Sequence, residues 1–206
     1  MKKILPFLLS CTLLCIITSC TKEEPMTELE AVQKQLLEME GYSCTATLSR
    51  TANEETKTYE IAQYYKSTGE YRLELTAPET VAGNYTIYDG NRICQYNTLL
   101  GSSVIQPSSQ HRSELFLGQF IEHYLQSEGV SVEAAALEDS QCILLEAVIP
   151  GRDTALASEK LWIDRSTLLP VRLAIFDAEE KEHYRLDYTT FTFNPQFDAA
   201  LFTIEE

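Results

Sequence analysis

Side chains that carry enzymatic chemistry are present in this sequence, but their spacing matches none of the common catalytic or metal sites. The three histidines, His111, His123 and His183, form neither an HxH nor an HExxH pattern, and His123 falls at the edge of a polar helix face where solvation is expected. There is no Gly-x-Ser-x-Gly nucleophile elbow, and the Gly-Ser-Ser run at 101–103 is typical of a loop. We therefore predict no catalytic residue, no metal and no cofactor, so the protein is not expected to be an enzyme.

Acidic side chains are abundant but form no evident catalytic pair. Glu179, Glu180 and Glu182 flank a predicted turn and are expected to be a hydrated charge run. Asp164 and Asp187 would make a pair of carboxylates only if the fold brought them together, and spacing alone does not establish that.

The six cysteines fall into two groups. Cys11, Cys15 and Cys20 lie in the N-terminal segment. Cys44, Cys94 and Cys142 are widely spaced with no CxxC pattern, which disfavours a zinc knuckle or a thioredoxin-type site. One disulfide with one free thiol would suit an exported protein, but three separate buried thiols are the favoured prediction.

The N-terminus has the features of a bacterial lipoprotein signal. Lys2 and Lys3 precede a mostly apolar run at 4–17, and Ile17-Thr18-Ser19-Cys20 fits a lipobox, in which small residues precede the lipidated cysteine. The sequence thus predicts a signal peptide at 1–19, acyl chains such as palmitate on Cys20, and a polar tether at 20–26. A membrane anchor on the extracytoplasmic face follows. The alternative is an ordinary secretory signal with a chance cysteine.

Composition limits the remaining classes. The chain has 206 residues, 16 Lys and Arg against 31 Asp and Glu, and a formal net charge of −15. Such an acidic surface repels phosphates, so nucleic acid is not an expected partner. Apolar residues make up 44% of the chain, which is normal for a globular fold, and no linker or repeat divides it. Residues 27–206 are predicted to form a single domain.

Hydrophobic periodicity predicts two amphipathic helices and many short strands. Thr27 and Glu30 form a capping-box pattern at the start of the first helix. The second helix is predicted at 113–126, with Ser113 as its N-cap and a wide apolar stripe. About six strands lie between the helices, with Asp89-Gly90 as a hairpin turn, and about five follow the second helix. The expected fold is mainly β with helices (α+β): a curved antiparallel sheet forming an open half-barrel, covered by the two helices.

In the last predicted strand, the alternation of apolar residues changes from even to odd positions. Tyr184, Leu186 and Tyr188 share one parity, whereas Phe191 and Phe193 share the other. One extra residue near 189–190, a β-bulge, would bring both sets to one face of the sheet.

Aromatic residues are the feature with the most functional meaning. Seven of them are candidates for lining an apolar concavity suited to an acyl chain: Tyr59, Tyr65, Tyr71, Tyr85, Phe116, Phe120 and Trp162. The alternative, which we favour, is that they are core residues beneath the helices.

Several short motifs occur in an order that resembles a known superfamily. They include Tyr71-Arg72-Leu73-Glu74, the run from Ile87-Tyr88 through Asp89-Gly90 to Asn91-Arg92, and Leu161-Trp162-Ile163-Asp164. This pattern resembles the LolA/LolB-like lipoprotein carriers, and most closely the germination lipoproteins of spore-forming bacteria, the GerS type. The resemblance spans nearly the whole chain after Cys20.

The resemblance implies a half-barrel with helical lids and no catalytic residues. Carrier members hold acyl chains in the concavity, whereas germination members are partners of a cortex-modifying N-acetylmuramoyl-L-alanine amidase. The expected function is therefore that of a lipid-anchored, non-catalytic binding partner. A carrier or receptor for lipid or lipoprotein acyl chains is the alternative. Carriers are soluble, so the anchor predicted at Cys20 agrees better with the LolB-like and germination branches.

Overall fold

The structure is a computed structural model that describes residues 26–108, 113–126, 131–137, 140–151 and 154–205. The predicted signal peptide, Cys20, the tether up to residue 25 and His111 lie outside these residues. Neither helix of the described residues is long and apolar enough to cross a membrane.

In the described residues, eleven strands and two α-helices follow one another. In order, they are α1 (Glu28–Leu37), β1 (Gly41–Ala52), β2 (Glu55–Lys66), β3 (Tyr71–Ala77), β4 (Tyr85–Tyr88), β5 (Arg92–Asn97), β6 (Ser102–Pro107), α2 (Leu117–Gln126), β7 (Ser131–Leu137), β8 (Ser140–Val148), β9 (Ser158–Asp164), β10 (Pro170–Phe176) and β11 (Glu182–Phe193). A short 3-10 helix at Ala199–Phe202 follows β11.

All eleven strands belong to one antiparallel sheet. The order across it is β6-β5-β4-β3-β2-β1-β11-β10-β9-β8-β7, so two meanders meet where the first strand pairs with the last. Strands β6 and β7 are the two edges, and within the described residues the sheet is not closed. The predicted class, mostly β with two helices and an open antiparallel sheet, is confirmed at this level.

The β-bulge predicted in the last strand is present. Thr45 of β1 pairs with Thr190, but the next residue, Ala46, pairs with Tyr188, so Thr189 has no partner in the register. The extra residue puts Tyr188 and Phe191 on the same face of the sheet, where their rings meet edge to face at 5.3 Å between centroids.

The two helices begin differently from one another. At α1 the predicted capping box forms, because Thr27 Oγ1 accepts a hydrogen bond from the Glu30 amide at 3.3 Å and the Glu30 carboxylate accepts one from the Thr27 amide at 2.7 Å. The predicted start of α2 is wrong: the helix begins at Leu117, and Ser113 is not its N-cap. Tertiary contacts hold the preceding segment out of the helix, since Gln63 Nε2 donates to the Leu115 carbonyl at 3.0 Å.

We call the face of the sheet that carries Tyr42, Ala46, Ile61 and Leu186 the core face. The buried residues of both helices belong to the same hydrophobic cluster as this face: Val32, Leu36, Leu117 and Phe120. Fully burying side chains of this size stabilises a fold by about 1.5–3 kcal/mol each. The opposite face, the outer face, holds a small second cluster of Ile87, Cys94 and Ile204 beneath the C-terminal segment.

Gly118 allows α2 to approach the sheet closely. A Cβ at this position would lie 2.1 Å from the end of the Tyr65 ring of β2, so with any larger residue either the ring or the helix would have to move. The helix amide of Leu117 then reaches the Tyr42 hydroxyl at 3.1 Å.

Candidate functional site

The structure brings five of the seven candidate aromatic residues together. Tyr59, Tyr65, Tyr71, Phe116 and Phe120 all pack in the main hydrophobic cluster on the core face. Phe116, just before α2, stacks on Tyr71 with 4.3 Å between ring centroids and on Tyr65 with 5.9 Å. Stacked rings therefore fill the space between the start of α2 and strands β2 and β3.

Tyr85 and Trp162 are not brought together with these five. Tyr85 packs in the small outer-face cluster, stacks on Tyr96 at 5.0 Å, and lies under the Arg72 guanidinium at 4.1 Å. Trp162 lies between Leu161 and Ile163, both of which are buried members of the main cluster. Successive strand residues point to opposite faces, so Trp162 faces the outer side.

A cavity of about 420 Å³ lies beside the stacked rings. Its described lining comes from β3 to β6, from the segment before α2, from the β8–β9 loop and from β11. The residues are Tyr71, Leu73, Thr86, Ile93, Gln95, Gln106, Glu114, Leu115, Phe116, Leu156 and Tyr184. The lining is thus mixed, with amide, hydroxyl and carboxylate groups set among apolar side chains.

Gln63 is a buried polar residue on the core face that the sequence reasoning did not single out. Its Oε1 accepts a hydrogen bond from the Tyr42 hydroxyl at 3.0 Å, and its Nε2 donates to the Leu115 carbonyl. The Tyr42 hydroxyl in turn accepts from the Leu117 amide. These bonds fasten the start of α2 to the sheet, which is a structural role.

A second buried polar group joins α2 to strand β9. His123 Nδ1 and Glu159 Oε1 are hydrogen-bonded at 2.6 Å, and Glu159 is fully buried, with Ala147 and Ile175 as its cross-strand neighbours. Burial raises the pKa of the Glu159 carboxyl, and the hydrogen bond to His123 opposes that rise. The expectation that His123 is solvated is wrong: the residue is only 9% exposed, because this face of α2 lies against the sheet.

The His123–Glu159 pair lacks the third member that nucleophilic catalysis needs. The other ring nitrogen, Nε2, lies 3.1 Å from Gln119 Nε2, and the Ser113 hydroxyl donates to Gln119 Oε1 rather than to His123. Among the described residues no hydroxyl or thiol is hydrogen-bonded to His123. A histidine oriented by a carboxylate can activate a hydroxyl or thiol only if that group lies within hydrogen-bond reach. Because no such group is bonded to His123, we interpret the pair as an anchor that holds α2 to the sheet.

The remaining candidate groups have local partners. Asp164 accepts hydrogen bonds from Ser166 and Thr167, which lower its pKa, whereas Asp187 is paired with Arg172 and Arg185. The fold therefore does not make a carboxylate pair of Asp164 and Asp187. No group of three or more metal-ligating side chains occurs in the part of the chain that the structure describes.

The three cysteines of the described chain are free and buried, which confirms the favoured prediction. Burial raises the pKa of the Cys44 thiol to about 12. A thiol in this state is neutral at physiological pH and is a poor nucleophile.

The hairpin of β5 and β6 presents an exposed apolar surface. Leu99 is 81% exposed, Leu100 75%, Val104 57% and Ile105 40%. We call these four residues the hairpin patch. They lie in a run without a charged side chain, residues 93–110, in a chain whose net charge is −15. Neighbouring exposed apolar residues of this kind mark interaction sites.

Comparison with known proteins places the chain among sporulation proteins. It is similar to the sporulation protein YdcC of Bacillus subtilis (strain 168), with 17% identity over 189 residues; the match covers 91% of this chain and 55% of the relative. The chain thus spans about half the length of that relative.

Solved structures show the same kind of fold. An uncharacterized conserved protein from Thermus thermophilus matches with 17% identity, 87% of this chain, 93% of that chain and a TM-score of 0.54. The structure of the CwlD amidase from Clostridioides difficile in complex with the GerS lipoprotein matches with 27% identity, 86% of this chain, 99% of the matched chain and a TM-score of 0.49. A LolA superfamily protein from Nitrosomonas europaea also matches, with 11% identity, 87% of this chain, 99% of that chain and a TM-score of 0.43. The resemblance that the sequence motifs indicated is confirmed. The family model described as "Sporulation protein YdcC-like" matches residues 1–202, and the chain belongs to this family.

Proposed function

We propose that the protein is a lipid-anchored, non-catalytic protein on the extracytoplasmic face of a bacterial membrane that binds a cortex-modifying N-acetylmuramoyl-L-alanine amidase. Membership in a sporulation family supports the cellular context. The class of partner comes from the resemblance to germination lipoproteins. We further propose that α1 and α2 cover the core face of an open half-barrel, with the anchor at Cys20 ahead of α1.

The observation that carries the proposal is the hairpin patch. Leu99 and Leu100 lie in the turn, and Val104 and Ile105 follow on opposite faces of edge strand β6, so the turn and the adjoining edge of the sheet expose four apolar side chains. An exposed apolar side chain contributes little to the stability of the isolated fold. It contributes strongly to the free energy of binding when a partner buries it. A binding interface centred on the hairpin patch best explains why these apolar side chains are exposed.

Charge defines the kind of surface that the partner should present. The patch is uncharged while the whole chain is strongly acidic, so a partner meets an apolar centre within a negative field. We expect the amidase to offer an apolar pocket bordered by basic residues. Association would then be steered electrostatically and would slow as salt is raised.

The alternative function, an acyl-chain carrier, is favoured by the cavity of about 420 Å³ beside the rings. Its lining argues against an acyl chain, however. Thr86, Gln95, Gln106 and Glu114 contribute polar groups, and an alkyl chain would remove them from water without offering hydrogen bonds.

The two candidate functions differ in the molecule that should remain bound to the protein during purification. We expect the lipid-free protein, residues 21–206, to co-elute with the amidase in gel filtration, and native protein to carry no acyl chains beyond those on Cys20. Acyl chains bound without a covalent link, together with separate elution of the amidase, would establish the carrier instead. Turnover of peptidoglycan or lipid by the isolated protein would contradict both.

The anchor has its own test. Cys20→Ala should leave an unlipidated precursor or release the protein from the membrane. Normal retention of that variant, with no acyl mass on Cys20 in the parent protein, would exclude the lipid anchor.

A further inference from the structure

The cavity beside the stacked rings has a polar floor, formed where the core face of the sheet becomes accessible to solvent. On β1 the core face carries Tyr42, Cys44, Ala46 and Leu48, all buried. On β4 to β6 the same face carries Thr86, Gln95 and Gln106 among its members, as the register shows: Leu73 pairs with Thr86, which pairs with Gln95, and Ile93 pairs with Gln106.

These polar groups are available to a ligand. Thr86, Gln95 and Gln106 make no side-chain hydrogen bond to another described residue. Each glutamine amide offers two donor hydrogens and an acceptor oxygen, and the threonine hydroxyl can do both. The floor of the cavity therefore presents donors and acceptors without a fixed charge.

The opposite wall supplies apolar contact and a single carboxylate. Phe116 and Leu115 come from the segment before α2, and Tyr71 stacks on Phe116 at 4.3 Å. Glu114 is the one charged residue of the described lining, and its charge is negative. An anionic ligand such as a fatty acid or a phosphate would meet repulsion and no basic partner in this lining.

From this combination we propose that the cavity binds a neutral saccharide. Sugar hydroxyls and acetamido groups match the amides of Gln95 and Gln106 and the hydroxyl of Thr86, and Glu114 accepts from a sugar hydroxyl. The C–H face of a sugar ring packs on the partly buried apolar side chains of the lining, such as Leu73 and Leu115. The volume of about 420 Å³ lies within the range of about 300–1,000 Å³ that small-molecule sites occupy. The site adjoins Val104 of the hairpin patch, which pairs with Gln95, but the proposal is argued from the cavity lining alone and does not rest on the proposed function.

The test is a titration followed by amide NMR, with three probes added to residues 21–206: the trimer of N-acetylglucosamine, dodecanoate, and an acetylated tetra-alanine peptide. We expect the trimer alone to saturate, and to shift the amide signals of β3 to β6 and of residues 114–116. Stronger binding of dodecanoate or of the peptide to the same signals would overturn the proposal, as would no shift with the trimer at millimolar concentration.

A matched pair of variants locates the binding. Gln106→Leu keeps the size of the side chain but removes the amide, and should weaken trimer binding about tenfold. Gln126→Leu makes the same change on the exposed end of α2, away from the cavity, and should leave the affinity unchanged. The amide spectrum of each free variant reports whether it is folded. Equal trimer affinity of the folded Gln106→Leu variant and the parent would place the ligand elsewhere and overturn the assignment.

Discussion

One sheet carries two regions that differ in what occupies its core face. Where α2 lies against the sheet, at β1, β2, β8 and β9, the face is filled by rings and aliphatic side chains, and its two polar residues, Gln63 and Glu159, bond to α2 or to the segment just before it. At β4 to β6 the same face carries amides and a hydroxyl that line a cavity, and the hairpin beyond exposes apolar residues. The first region resists substitution because it is packed. The second presents solvent-accessible side chains, and both proposed binding sites lie there.

The largest expected effect is in the filled region. Phe120→Asp would place a carboxylate without a partner at a fully buried position of α2. We expect the free energy of unfolding to fall by about 4 kcal/mol or more, a large part of the total of a typical domain. Glu122→Lys, on the exposed side of the same helix, is the control and should be nearly neutral. Similar melting temperatures for the two variants would mean that α2 is not packed on the sheet.

A smaller loss is expected where α2 and β2 touch. Gly118→Ala adds one methyl group 2.1 Å from the Tyr65 ring, so helix and ring must separate, at a cost of about 1–3 kcal/mol. Gln95→Ala in the open region removes more atoms but should change stability by less than about 0.5 kcal/mol. Urea unfolding of both variants measures the difference. An equal loss in the free energy of unfolding from the two substitutions would show that the β4 to β6 region is packed as tightly as the region beneath α2.

The buried carboxyl of Glu159 predicts a pH dependence. Because its pKa is raised in the folded protein, the folded state keeps that proton over a pH range in which the unfolded chain has lost it. The contribution of Glu159 to the free energy of unfolding therefore falls as pH rises from about 4.5 through the raised pKa. Glu159→Gln removes this titration while keeping a hydrogen-bond acceptor for His123.

Melting temperatures of parent and Glu159→Gln across pH 4 to 8 isolate this group. The variant should gain stability relative to the parent as pH rises. A constant difference between the two curves, or one that changes in the other direction, would show that the pKa of Glu159 is not raised.

The smallest effect on stability is expected at the hairpin patch. Leu100→Asp changes an exposed turn residue and should alter the free energy of unfolding by less than about 0.5 kcal/mol. Thermal unfolding checks this. A large loss would indicate that the patch is part of the fold rather than a free surface.

Much of the fold could be predicted because local signals and tertiary contacts agree. The capping box at Thr27, the turn at Asp89-Gly90 and the bulge at Thr189 each follow from a few neighbouring residues, and each is present. The start of α2 could not be predicted in the same way. Phe116 and Leu115 have the periodicity of a helix, but contacts with Tyr71 and Gln63 hold them outside it.

The site was less accessible from sequence, for a physical reason. Trp162 and Tyr85 point to the outer face of the sheet. The face on which a strand residue lies depends on how its strand pairs with its neighbours, and the types of the aromatic residues alone do not reveal that pairing. Glu159 also has a side-chain direction that the strand pattern determines: it has the same parity as the buried Leu161 and Ile163, which marks an inward-facing position. That signal was present in the sequence, but its partner His123 is known only from the packing of α2.

The most direct test of the central claim measures the affinity of the lipid-free protein for the cortex amidase with two matched variants. Leu100→Asp changes the hairpin patch, and Leu37→Asp makes the same change at an exposed leucine of α1. We predict that Leu100→Asp weakens binding about thirtyfold, the effect of losing a central interface residue, while Leu37→Asp binds as the parent does. Absence of binding by the parent, or equal affinity of all three proteins, would contradict the account.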